Sequence, residues 1–248
     1  MKRLSLLAAL WLAAPAMAFD PAAMTDAERD AFGAAVRAYL LEHPEVLQEV
    51  ITELDARQQA AKLAEDAALV TANKGLIYDD GYSFVGGNPE GSITLVEFLD
   101  YRCGYCRKAH AEVAELVKSD GDIRYVVKEF PILGEQSVLA SRFAIAVLQV
   151  VGPEAYDKVK NGFYDGSFRG DVTPETLAAF AGSLGLATDA VFERMDAPEV
   201  REVIEANHKL AITLDITGTP TFVLGDSMVR GYVPLDQMRA IVEEEREG

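Results

Sequence analysis

The chain has 248 residues, half of them hydrophobic and a quarter charged, with 40 acidic against 23 basic side chains and a formal net charge of −17. That balance is globular rather than disordered. A surface this acidic repels nucleic acid and anionic lipid, so neither is expected as a partner.

The first segment, "MKRLSLLAALWLAAPAMAFD", has a basic start at Lys2 and Arg3, an apolar run from Leu4 to Ala14, a helix break at Pro15 and a small-x-small site at Ala16-Met17-Ala18. This is the pattern of a signal peptide over residues 1–18, cleaved after Ala18. The run is short of the roughly 20 residues needed to span a bilayer. The expected location of the mature chain is periplasmic.

Residues 25–72 read as helix. Thr25-Asp26-Ala27-Glu28 has the form of a capping box, and Phe32, Val36, Tyr39 and Leu40 follow on one face. His43-Pro44 restarts the helix. The next stripe, Leu47, Val50, Ile51, Leu54, Ala61, Ala64 and Ala68, runs near the 3.5-residue period. A helix over 45–72 is about 40 Å long. Its first half is strongly apolar and wants a partner, which predicts a homo-oligomer through residues 19–74. Its alanine-rich second half reads as a linker or stalk.

From Lys74-Gly75 the pattern changes. "LIYDDGYSFV" predicts a hairpin around Asp79-Asp80-Gly81, "ITLVEFLDY" a buried strand, the segment from Cys103 to Ser119 a helix, and "DIRYVVKEFPIL" a second buried strand. The period is helical again over about 135–215, with Thr173-Pro174 as an N-cap followed by a first-turn proline. "TPTFVLG", "SMVRGY" and a last helix from Pro234 close the chain. The predicted class is α/β over residues 75–248, with an all-helical insertion and a preceding helical extension.

The only two cysteines, Cys103 and Cys106, sit three positions apart. Closing so short a loop contributes about 2 kcal/mol in the chain-entropy model, against about 4.7 kcal/mol for a 100-residue loop, so stapling is a poor reason for the pair. A single CxxC is also a poor zinc site, because tetrahedral zinc wants four ligands and the three histidines have no ligand spacing. No metal and no cofactor are expected, and His110, one turn past Cys106, reads as a packing or surface residue. Redox chemistry fits better. A cysteine at a helix N-terminus has its thiolate favoured by backbone N–H groups, with Arg102, Arg107 and Lys108 adding positive charge nearby. Cys103 is the expected nucleophile, and Cys106, one turn in, is placed to attack a mixed disulfide and release the substrate.

"EFLDYRCGYCRKAH" resembles the active-site segment of bacterial Dsb proteins, the thioredoxin-fold thiol–disulfide oxidoreductases of the periplasm. "ITGTPTFVLG" is similar to their cis-proline loop, which implies Pro220 as the cis-proline with Thr219 before it, in a loop whose backbone pairs with an extended substrate peptide. The resemblance covers about residues 75–248. Gly104-Tyr105 between the cysteines and the Thr-Pro are like those of the periplasmic disulfide isomerases. The helical extension is similar to that of the oligomeric suppressor-of-copper-sensitivity protein C (ScsC-like) isomerase group. Glu97, six residues before Cys103, matches an acidic position of the family beneath the resolving cysteine, where a carboxylate takes its proton. Lys128 on the next strand is a candidate partner for it.

The resemblance implies a disulfide isomerase kept reduced by a membrane thiol reductase, with misfolded or reduced exported proteins as substrates. A monomeric oxidase uses the same two cysteines, and the helical insertion matches that type. A third reading, from a different class, is a copper-binding or holdase protein, since two thiolates can hold Cu(I); Met228 and Met238 are isolated and add no cluster to it.

Overall fold

The computed structural model describes residues 23–186 and 188–247. The signal-peptide reading of residues 1–18 lies outside the described residues. The chain divides into two units, residues 1–58 and 59–248.

In the first unit, Asp26–Glu42 forms α1 and Glu45 begins α2, which runs to Ala72. The capping box is present: Glu28 N–H donates to Thr25 Oγ1 at 3.4 Å while Thr25 N–H donates to Glu28 Oε2 at 2.9 Å. No residue of α1 is buried. Val36, Tyr39, Leu47, Val50, Ile51 and Leu54 are each between 41% and 58% exposed. A row of large apolar side chains at helical spacing is therefore left uncovered within a single chain.

The second unit is built on a five-stranded sheet of β1 (Phe84–Gly87), β2 (Ile93–Leu99), β3 (Ile123–Glu129), β4 (Thr221–Leu224) and β5 (Ser227–Arg230), in the order β1-β3-β2-β4-β5. β2 and β3 pair in parallel, and the other three pairings are antiparallel. Helix α4 (Gly104–Asp120) makes the crossover between the parallel strands. β3 and β4 are joined by helices alone: α5 (Glu135–Val150), α6 (Pro153–Asp165), α7 (Pro174–Ser183), α8 (Thr188–Met195) and α9 (Pro198–Thr213). Thr173 caps α7, accepting from Thr176 N–H at 3.3 Å, with Pro174 in the first turn. The chain ends in α10 (Leu235–Glu247).

Both central strands are buried on both faces, as their near-continuous apolar runs require. Leu95, Leu99, Tyr125, Val127 and Phe222 face one core with α4, α5, α6 and α10. Val96, Phe98, Val126 and Val223 face a second core with Val70, Ile77, Leu210 and Leu214. The alanine-rich half of α2, expected as a stalk, thus carries the buried Val70. It also carries the buried Asp66, whose carboxylate takes Arg230 of β5 through two bonds of 2.5 and 3.0 Å.

The expected hairpin around Asp79-Asp80-Gly81 is not formed. Residues Lys74–Tyr78 make a helical turn, α3, with Ile77 fully buried, and β1 pairs with β3 instead. The carbonyls of α3 explain the change. Lys128 Nζ donates to Leu76 O at 2.7 Å and Arg124 Nη1 to Tyr78 O at 2.8 Å, so side chains of β3 take the place of a facing strand. Asp80 then turns the chain, accepting from Tyr82 N–H at 3.1 Å and Ser83 N–H at 2.9 Å, with Gly81 at φ +76°.

Candidate active site

β2 runs out at Leu99 into the loop Asp100–Cys103, and Cys103 is the N-cap of α4. Its Sγ accepts from Cys106 N–H at 3.4 Å, a serine-like capping contact made by sulfur. Both cysteines are free thiols; Cys103 is 7% exposed and Cys106 fully buried. Gly104 and Tyr105 stand between them in the open, as do Arg102, Arg107 and Lys108 beside them. Lys108 Nζ lies 3.9 Å from the centroid of the Tyr232 ring, a cation–π contact.

The Thr219–Pro220 bond is cis, and it opens β4. Cys103 Sγ donates to Thr219 O at 3.2 Å, across 116 residues of sequence. Strand order explains the meeting: β4 lies antiparallel beside β2, so the start of β4 comes to the end of β2 where α4 begins. Sequence reasoning named Cys103, Cys106, Gly104, Tyr105, Thr219 and Pro220, and the structure brings them together where β2 ends and β4 begins.

Glu97 lies on the core face of β2 that carries α4 and is buried, with Tyr125 Oη donating to its carboxylate. Burial pushes it up to about 7; the Tyr125 hydrogen bond and the charge of Lys160 work in the opposite direction. Burial, and next the Glu97 charge, push the Cys106 thiol far up. The expected Glu97–Lys128 pair does not form. Lys128 is in register with Phe98, not Glu97, so alternation sends it to the other face of the sheet, where it pairs with Asp80. His110 packs on Tyr164 with ring centroids 5.0 Å apart.

Comparison with known proteins agrees with this geometry. The family described as Thioredoxin matches residues 79–244, and the Copper resistance protein ScsC N-terminal domain matches residues 28–61. The chain belongs to the thioredoxin family. A thioredoxin-like oxidoreductase from Silicibacter pomeroyi is 39% identical, covering 71% of this chain and 99% of that one with a TM-score of 0.65. The thiol-disulfide exchange protein alpha-DsbA2 from Wolbachia pipientis is 27% identical, covering 74% and 97% with a TM-score of 0.68. BcfH of Salmonella enterica Typhimurium is 28% identical, covering 89% and 96% with a TM-score of 0.73. Among curated proteins, the Na(+)/H(+) antiporter NhaA of Herminiimonas arsenicoxydans is 27% identical over 171 residues, which are 68% of this chain and 27% of the antiporter. The chain therefore spans about a quarter of that relative's length. The thioredoxin fold here is of the Dsb-like kind, and residues 28–61 are similar to the ScsC N-terminal domain.

Two carboxylates of this thioredoxin domain escaped the sequence reading. Asp100 is fully buried and accepts from Arg102 N–H at 2.7 Å, Ser137 Oγ at 2.8 Å, Ile132 N–H at 2.8 Å and Leu133 N–H at 3.0 Å. Its own carbonyl accepts from Cys103 N–H and Tyr164 Oη, each at 3.0 Å. Glu129 accepts from Tyr101, Tyr156 and Ser141 hydroxyls, all at 2.6 Å, and ties the loop before Cys103 to α5 and α6. Neither had a sequence signal, since a carboxylate at a strand end is ordinarily solvated. A cavity of about 410 Å³ is lined by Tyr101, Phe163 and Phe168 with Arg102, Arg107 and Arg169.

The thioredoxin core holds two raised acids, which makes stability depend on pH. Burial pushes Glu129 up to about 7 as it does Glu97, from an ordinary value of 4.5. The folded state then holds protons that the unfolded chain has released, so stability from each acid is present in full below about 4.5 and is lost as pH rises through about 7. His110, pushed down to about 4 by burial and then by Lys160, opposes this only as pH falls from 6.5. Urea unfolding is expected to show a higher midpoint near pH 6 than near pH 8, by about 1 kcal/mol per acid. Glu129→Gln should remove about half of the difference; a midpoint equal at the two pH values in the unaltered protein contradicts it.

Proposed function

We propose that the protein is a periplasmic disulfide isomerase. Cys103 attacks one sulfur of a wrong disulfide, forming a mixed disulfide and releasing a substrate thiolate. That thiolate re-forms a different bond and frees Cys103, or Cys106 attacks Cys103 instead. The second route closes Cys103–Cys106 and releases the substrate reduced by two electrons, which a membrane thiol reductase then restores to the enzyme. Glu97 takes the Cys106 proton. The backbone at Thr219 and Pro220 binds the extended client chain, and Gly104 and Tyr105 form the exposed face that meets it.

The observation that carries this reading is the nucleophile's position: Cys103 Sγ caps α4 while lying 3.2 Å from Thr219 O of the cis peptide. A thiolate formed there keeps a backbone donor and stands beside the loop backbone at which a peptide docks.

A monomeric oxidase uses the same thiols, and the helical insertion favours it. The uncovered apolar row of α1 and early α2 favours self-association and so the isomerase. The test is reactivation of scrambled ribonuclease by the reduced protein, beside a version lacking residues 19–58. That cut spares the buried Asp66, Val70 and Ile77. Reactivation by the full protein alone is the expected result. If neither reactivates, yet the oxidised protein puts disulfides into reduced ribonuclease, the isomerase reading fails and the oxidase stands. Copper binding unchanged in Cys103→Ser would likewise sink any two-thiolate copper site.

A further inference from the structure

We propose that Lys160, on the insertion helix α6, is a positioning residue for the proton step at Cys106, acting with Asp157 to set the charge that Glu97 feels across Tyr125. The proposal rests on the reading of Cys106 as the resolving thiol.

Lys160 is 5% exposed, an unusual place for an ammonium group. Its Nζ is 3.0 Å from Asp157 Oδ1, 4.8 Å from the Tyr125 ring centroid and 5.3 Å from that of Phe84. Two aromatic faces and one carboxylate thus hold the charge in place. Tyr125 is the residue whose hydroxyl donates to Glu97, so Lys160 sits over the ring that carries the bond.

The same residues line an opening. Tyr125, Lys160, Asp157 and His110 are on the wall of a cavity of about 800 Å³ between β1, α4 and α6. Glu97 is buried, yet its hydrogen-bond partner borders that space. Tyr125 from β3 donates to the Glu97 carboxylate, which interacts through charge with Cys106 from α4 and with Tyr164 and Lys160 from α6; Lys160 pairs with Asp157, and His110 feels the charge of both. Lys160 is the cation of this set that favours the ionised carboxylate. His110 feels the same positive charge, which helps to keep its ring neutral.

The step balances within the site. As Cys106 Sγ attacks Cys103 Sγ, its proton passes to the Glu97 carboxylate, the Cys103–Cys106 bond forms, the bond from Cys103 to the substrate breaks, and the substrate leaves as a thiolate. Glu97 then gives the proton up to solvent, from which only its hydrogen-bond partner Tyr125, on the cavity wall, separates it. Lys160 keeps Glu97 ionised often enough at neutral pH to act as the acceptor, and Asp157 moderates it.

Two substitutions separate this from a packing role, because they move Glu97 in opposite directions. In the full-length reduced protein with ¹³C-carboxyl glutamate, and with Glu97→Gln to assign the signal, Lys160→Met is expected to raise the Glu97 titration midpoint by about 1 pH unit. Asp157→Asn is expected to lower it. With glutathione held on Cys103 as the probe, its release near pH 7 should slow by about fivefold in Lys160→Met, as the ionised fraction of Glu97 falls from about a half to about a tenth. A midpoint unmoved in Lys160→Met, or moved the same way by both substitutions, overturns the proposal. Release that persists in Cys106→Ser overturns the resolving-thiol reading instead, and the assignment of a proton step to Lys160 falls with it.

Discussion

Cys103→Ser is expected to reduce thiol–disulfide exchange to the uncatalysed background, whereas Cys106→Ser should leave the first attack intact and trap its product. The asymmetry comes from burial. Cys103 keeps an edge toward solvent, accepts a backbone N–H and lies against the cis Thr219–Pro220 bond, while Cys106 is fully enclosed and its thiol is held protonated by burial and by Glu97. A disulfide brought from solvent is expected to reach the first sulfur and not the second. Incubating the two variants with scrambled ribonuclease and separating the products without reductant distinguishes them. Covalent enzyme–client adducts should accumulate in Cys106→Ser and be missing in Cys103→Ser; the reverse pattern would exchange the two roles.

Asp100→Ala should be among the most damaging single changes away from the thiols. Its carboxylate accepts from three backbone N–H groups and one hydroxyl, reaching the active-site loop through Arg102 and the strand β3 exit through Ile132 and Leu133. Truncation of this fully buried carboxylate strips three amides and the Ser137 hydroxyl of their acceptor, at a cost of about 3 kcal/mol. That is a large share of the 5–15 kcal/mol typical of a domain. The urea midpoint should fall accordingly, and Asp100→Asn, which keeps a carbonyl oxygen, should lose less. Equal midpoints for Asp100→Ala and the unaltered protein would show that the amides find other partners.

The candidate site was legible as a cluster because its signals are local. A cysteine pair between a buried strand and a helix, and a Thr-Pro opening a later strand, need no tertiary knowledge to be recognised, and the topology then joins them. The errors were long-range. The "LIYDDGYSFV" hairpin failed because Lys128 and Arg124, far along the chain, cap the carbonyls of Leu76 and Tyr78 and hold a helical turn. The Glu97–Lys128 pair failed on parity: residues directly across parallel strands share a face, and Lys128 stands across from Phe98. Asp100 and Glu129 were invisible because their partners come from Ser137, Ile132, Tyr156 and Ser141, and sequence alone does not say that these converge. Val70 and Asp66 hid in an alanine-rich run whose stripe gave no sign of the sheet that covers it.

A protein whose proposed clients are unfolded chains runs a hazard that few enzymes share. Extended peptides are the natural seed for an added strand, and an open sheet margin would template them into aggregates. Both outer strands, β1 and β5, are only four residues long, and β5 ends at Arg230, which is locked to Asp66 of α2. That ion pair, which ties the last residue of the strand to α2, thus works as a guard rail. Mutating Asp66 would be felt less at the thiols than in how well the enzyme survives the company of its own clients.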